Sequence, residues 1–221
     1  MAKSIEPNLK LISGYLKLDK SENFVIPEYQ RGYSWNNITH CDKLWQDVET
    51  FIDSGASDPY FFGTIIVDVD DQNRDKVTFS LIDGQQRTTT FLLLLKALLI
   101  RLNNALQNIP NDEDSEALKA GLKANRNKIM AILYKADDED IPSMLKDETK
   151  IKNILLIENK SINELYLDEI KKIIEAKDFN EAERNVNKIP RKQNDNKYTN
   201  HFRNFCKINF VSYARTTKHR I

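Results

Sequence analysis

Cysteine is scarce in this chain: Cys41 and Cys206 are the only two among 221 residues. They stand far apart with no C-x-x-C or Cys/His cluster, which argues against a disulfide scaffold and a zinc centre, and reduced thiols in a cytoplasm are expected. Histidine is nearly as rare. His40, His201 and His219 show no H-E-x-x-H spacing, no serine elbow accompanies them, and each is expected to be a surface residue. With only 6 Gly and 6 Pro the chain is neither fibrous nor low-complexity. The glycine loops that usually cradle nucleotides are missing too, since there is no G-x-x-x-x-G-K-[ST] and no G-x-G-x-x-G after a strand. The longest apolar run, FLLLLKALLI at 91–100, is about half a membrane span and contains Lys96. MAKSIEPNLK, at the start, has no apolar h-region, so a soluble cytoplasmic protein is expected.

A net charge is also absent, with 33 Lys/Arg against 33 Asp/Glu, yet the balance is uneven. Residues 185–221 carry nine basic and one acidic residue, and the remainder is correspondingly acidic by eight. A basic tail can attract nucleic acid or an acidic partner. It can equally be a solvated surface.

With 40% hydrophobic and 30% charged residues the chain can build a core. Residues 9–25 read as a short helix or turn and then a strand, which Pro27 ends. The loop PEYQRGYSWN follows, and residues 41–52 place Leu44, Trp45, Val48, Phe51 and Ile52 at amphipathic helical spacing. PYFFGTIIVDVDD and KVTFSLID read as two strands joined by the turn DQNRD, an antiparallel hairpin. From Gln85 a helix is predicted to about Gln107, apolar nearly all round and therefore central. Beyond Pro110 the composition becomes charged and helix-forming, with segments predicted near 114–135, 140–159 and 161–177. The last of these carries an apolar stripe of Ile162, Leu165, Tyr166, Ile170, Ile173 and Ile174. The expected fold is therefore α+β, a small mixed β-sheet packed on a central helix in residues 1–108, followed by an all-helical region in 109–221 with a basic tail.

The chemistry concentrates at the hinge of VTFSLIDGQQRTTTFLLLL, residues 77–95. A strand that re-enters as a helix exposes the first free N–H groups and the positive end of the macrodipole, an anion site in prospect. Gly84 permits close approach of a ligand, Arg87 offers a planar fork for phosphate, and Thr88 and Thr89 add hydroxyl donors. The competing reading is purely structural: Asp83 as an N-cap with Gln86 at N3, a capping-box variant that contributes about 1 kcal/mol without any ligand.

An unpaired Asp83 about 4 Å from a phosphate oxygen would be repelled by roughly 4 kcal/mol at an effective dielectric near 20. It therefore caps the helix, binds a Mg²⁺ that bridges to phosphates, or accepts a proton from water. Gln85 or Gln86 could orient that water. A second cluster, FVIPEYQRGYSW, supplies Gln30 and Arg31 in a loop after a strand, flanked by Tyr29, Tyr33 and Trp35. Those aromatics are either stacking faces for a base or guanidinium, or loop anchors.

The ordered set FVIPEYQRGYSW, PYFFGTIIV and LIDGQQRTTT resembles the N-terminal domain of GmrSD-type modification-dependent restriction endonucleases, the GmrS half, which is similar in fold to the ParB and sulfiredoxin group. The similarity is strong over residues 12–102 and weaker to about 205. It implies a nucleoside triphosphate-binding and hydrolysing domain, with Mg²⁺, that acts in antiphage defence by sensing modified DNA. The family signature falls on Asp83, Gly84, Gln85, Gln86 and Arg87, with Gln30 and Arg31 from the earlier loop. Of these, Asp83, Gln86 and Arg87 are the expected catalytic set, Thr88 joins the nucleotide-binding set, and Asp83 is the expected metal ligand.

DNA cleavage in the family belongs to a separate nuclease domain or partner, of which no motif is visible here. The chain ends at Ile221 without the family's further segments, so a truncated product or one part of a split system is expected. Two alternatives stand beside this reading: a non-enzymatic DNA- or protein-binding module, and an inactive remnant.

Overall fold

The computed structural model describes residues 5–72, 75–160, 165–188 and 202. The basic tail falls almost wholly outside the described residues, as do His201, His219, Cys206, Ile162 and the tip of the DQNRD turn.

A short helix α1, Ile12–Leu16, leads into strand β1, Glu22–Ile26, which stops at Pro27 as the missing donor of proline requires. Residues 27–36 form a loop and Asn37–Cys41 a π-helical turn. Helix α2, Asp42–Ser54, follows and ends on Gly55 in the left-handed region. Strands β2, Ile66–Asp70, and β3, Val77–Asp83, make the expected antiparallel hairpin. β2 is much shorter than PYFFGTIIVDVDD suggests. Gly63 sits at φ +94°, and the carbonyls of Phe62 and Thr64 bond to Arg87 instead of a neighbouring strand.

Helix α3, Gln85–Asn108, begins where the sequence places it and buries Phe91, Leu92, Leu93, Ala97, Leu99 and Ile100. Its length and hydropathy would suit a membrane span, but it is the core helix, packed against α4, Glu113–Leu133. Asp112 caps α4 by accepting from the Ser115 N–H at 2.9 Å. At its far end Lys135 takes φ +46°, and the Ala136 N–H bonds back to Ala131 O at 3.2 Å, closing the helix. The Lys135 ammonium then reaches the carbonyl of Glu22 and ties this corner to β1.

The stretch 140–159 is not the helix its charged composition predicts. It forms α5, Ile141–Lys146, then a 3-10 turn at Glu148–Lys150, an extended run, and β4, Ile157–Asn159. Asp147 bends the chain by accepting from the Thr149 N–H at 3.0 Å, and the apolar run Ile154–Leu155–Leu156–Ile157 then suits a sheet edge better than a solvated helix. Helix α6, Leu165–Glu175, buries Ile170, Ile173 and Ile174 of the expected stripe. Asp178 caps a further helix, α7, Phe179–Asn187.

The sheet order is β2-β3-β1-β4, with β1 parallel to both β3 and β4. Phe24, Ile26 and Leu81 enter one core with α3, α4 and α6. The fold is thus α+β with a mixed sheet and a central helix, and its fourth strand comes from the region that reads as wholly helical. β1 and β3 are adjacent and parallel, so their carboxyl ends stand side by side. The loop 27–36 leaves one and the α3 hinge leaves the other, which is the crevice where ligands of open α/β sheets bind.

Candidate anion site at the amino end of the central helix

Gly84, not Asp83, occupies the N-cap position of α3, at φ +90° and without any side-chain cap. The capping-box alternative for Asp83 is therefore overturned. Asp83 is still the last residue of β3, pointing its carboxylate along the helix to Arg87, whose Nη2 donates to Oδ2 at 3.1 Å. Left-handed backbone is the first reason for glycine here, and space is the second. A Cβ on Gly84 would lie 2.8 Å from Ile65 Cγ1. The first intrahelical bond is Thr88 N–H to Gly84 O, so the N–H groups of Gln85, Gln86 and Arg87 are the free ones of this helix start.

The two glutamines read the backbone of the second motif. Gln86, buried, donates through Nε2 to Gly32 O at 3.3 Å and accepts through Oε1 from the Ser34 N–H at 2.8 Å and the Trp35 N–H at 3.3 Å. Gln85 donates through Nε2 to Arg31 O at 3.0 Å and approaches Gln30 Oε1 at 3.4 Å. Gln30 in turn donates to Ile82 O at 2.7 Å. The hinge and the YQRGYSW loop, some fifty residues apart in the chain, are one hydrogen-bonded unit. Within it Gln86 is buried with both its amide oxygen and its amide nitrogen bonded to the loop, so it serves the platform first.

Arg87 joins a third motif to the unit. Besides Asp83, its guanidinium donates to Phe62 O at 3.2 Å and Thr64 O at 2.6 Å. Gly63 between them takes φ +94°, a conformation other residues rarely adopt, and a Cβ there would lie 2.0 Å from Arg87 Nη1 and displace the guanidinium. PYFFGTIIV owes its glycine to that backbone turn and to the approach of Arg87.

The threonines are the clearest departure from the sequence reading. Thr88, Thr89 and Thr90 are 0, 2 and 0% exposed. Thr88 Oγ1 donates to Gly84 O at 3.0 Å and shares a 2.9 Å bond with Tyr15, while Thr90 Oγ1 donates to Gln86 O at 2.8 Å and shares a 2.8 Å bond with Tyr33. The hydroxyls of Thr88 and Thr90 thus fasten the first turn of α3, each through a tyrosine. A direct bond from Thr88 to a phosphate is overturned by its burial, and Thr89 is sealed in likewise.

Burial pushes the Tyr15 phenol up to about 12, against the lowering effects of the Thr88 bond and the Arg87 charge. Tyr33 is an anchor, Trp35 stacks on His40 at 5.5 Å, and only Tyr29 of the three loop aromatics is strongly exposed. Arg31 is exposed, with no ion pair to any described residue.

Sequence reasoning missed Tyr15, Gly63 and the carbonyls of Phe62, Thr64 and Ile82. Backbone acceptors leave no mark in residue types. The glycine of FFGTII was the one available signal.

The chain belongs to the family described as GmrSD restriction endonuclease, N-terminal domain, whose model matches residues 12–219. It is accordingly a component of a restriction system. No curated protein matches it.

Proposed function

We propose that this domain binds a nucleoside triphosphate with Mg²⁺ at the amino end of α3 and hydrolyses it, in a system that restricts modified DNA with a separate nuclease. The single observation that carries the reading is convergence: the three family motifs, from distant parts of the chain, meet in one hydrogen-bonded platform around the free N–H groups of a 24-residue helix. A structural role alone would not require an arginine as exposed as Arg31 beside it. The macrodipole and N–H groups favour an anion, and Arg31 supplies the uncommitted positive charge.

The described residues hold no cluster of three or more His, Cys, Asp or Glu, so an all-protein metal cage is not built. Mg²⁺ carried by phosphates and water needs as little as one carboxylate, and the Asp83 side chain, 60% exposed, fits that requirement. When bound, Mg²⁺ neutralises charge on the phosphates. Asp83 would be the residue to ligate it or to take a proton from water, and Arg87 holds that carboxylate at 3.1 Å. Gln85 engages only its Nε2 with described residues, which leaves Oε1 to hold a water.

The test is calorimetry of each of the four NTPs with Mg²⁺, together with phosphate release in the presence and absence of modified DNA. Saturable binding of at least one nucleotide is expected. Salt-sensitive DNA binding with no response to any nucleotide would sink the reading in favour of a phosphate-backbone binding module.

A further inference from the structure

Away from the site, α2 is held in an unusual way. None of its residues with described burial is fully buried, and its apolar face leaves a groove of about 330 Å³ against α3, lined by Leu44, Trp45, Val48, Phe62, Phe91 and Leu95 among others. Besides the packing of Leu44 against the core, a ladder of rings joins α2 to α3 on this side. Phe91 of α3 meets Phe62 edge to face at 5.2 Å, Phe62 meets Tyr60 at 4.7 Å, and Tyr60 meets Phe51 of α2 at 5.4 Å. The middle rungs belong to the segment whose carbonyls Arg87 holds. One residue, Phe62, therefore lines the groove with its ring and accepts from the anion site with its backbone.

We propose that Arg87 couples occupancy of the anion site to the placement of α2. This rests on the nucleotide reading above and adds regulation to it. Arg87 is only partly exposed, and three of its five N–H donors, including both on Nη2, are already engaged by Phe62 O, Thr64 O and the Asp83 carboxylate. A phosphate at the helix start competes with two neutral carbonyls for that guanidinium, and charged acceptors win such competition because their hydrogen bonds are roughly twice as strong. Once Arg87 turns to phosphate, the 60–64 segment loses its tether to α3. Its rings then carry the change along the ladder to Phe51, and α2, fixed at its start by the buried Cys41 but only partly buried along its own length, moves relative to Leu94, Leu95 and Leu98. The two-state element is thus Arg87 on carbonyls or Arg87 on phosphate, and the ligand's preference for the second state drives the shift.

Trp45 lines the groove and Trp35 is the only other tryptophan, so a Trp35→Phe chain reports on α2 alone. Mg²⁺ and the NTPs are titrated into it while calorimetry follows binding in the same preparation. Hydrogen exchange of residues 42–54 in the unmodified chain gives a second readout that needs no substitution. The expected result is a shift in Trp45 emission that saturates with binding, and faster exchange in 42–54. Tyr60→Ala, which cuts the ladder outside the site, keeps nucleotide affinity within about threefold and abolishes both responses. Nucleotide binding with Trp45 emission and 42–54 exchange unchanged overturns the coupling and leaves the proposed function standing, as does a response that survives Tyr60→Ala. Absence of any nucleotide binding removes the proposed function and the coupling with it.

Discussion

At the residue scale, two arginines that look alike in the sequence have different work. Arg31 is exposed and without an ion pair to described residues, so Arg31→Ala should weaken nucleotide binding about 10- to 100-fold, the range of one charged hydrogen bond, and leave the melting temperature unchanged. The residue types alone suggest that Arg87→Ala abolishes binding with the fold intact. The structure changes that expectation. Removing Arg87 strands the carbonyls of Phe62 and Thr64 and the Asp83 carboxylate, so the variant should also lose about 1–3 kcal/mol in urea denaturation. An Arg87→Ala chain as stable as the parent would contradict the clamp.

Gln86→Ala belongs to the same class. It removes the part-buried bonds from the Ser34 and Trp35 N–H groups and to the Gly32 carbonyl, and a comparable destabilisation is expected.

A part-buried phenol and a buried thiol give the molecule a pH dependence with a definite sign. The Tyr15 phenol is raised from 10.0 to about 12, chiefly by burial. The unfolded chain therefore releases this proton first on going alkaline, and the tyrosine's contribution is whole below pH 10 and lost as pH rises toward 12. Tyr15→Phe should flatten the fall in stability over that window. Burial likewise pushes the Cys41 thiol up to about 11. In a Cys206→Ser chain, Cys41 should stay unreactive toward a disulfide reagent at pH 8 until the protein unfolds.

At the scale of elements, what was legible in the sequence followed from periodicity and punctuation. The starts of α3 and α4, the β2–β3 hairpin and the position of α2 all have a pattern and a breaker to mark them. Three features were not legible, each for a physical reason. Asp83 has the residue type of a cap but belongs to the strand, because Gly84 alone can take the left-handed turn. β4 hides in a charged stretch whose strand character rests on four apolar residues and a parallel partner more than a hundred residues away. The threonines of RTTT look like ligands until Tyr15 and Tyr33 are seen covering two of them.

The glycines carry a prediction at this scale. Gly84→Ala combines a positive φ with a Cβ 2.8 Å from Ile65, and it should cost more than the roughly 1–2 kcal/mol of the backbone term alone. A Gly84→Ala chain of parental stability would mean that the hinge is not built as described.

At the scale of the whole molecule, the site is the product of topology. Two adjacent parallel strands send their following loops into one crevice, the α3 N-terminus opens there, and a hairpin strand brings the 62–64 segment across to Arg87. The residues that face the crevice most openly, Arg31 and Asp83, are the fewest in number. The rest of the signature builds the platform, which is why three motifs can be specific to a family while few of their side chains are free to touch a ligand.

The most direct measurement of the central claim is nucleotide binding with Mg²⁺ by calorimetry, run in parallel on the native chain and on Arg31→Ala. The account predicts saturable binding by the native chain and a 10- to 100-fold weaker affinity for Arg31→Ala at equal thermal stability. Equal affinities, or no binding by either chain, would contradict it.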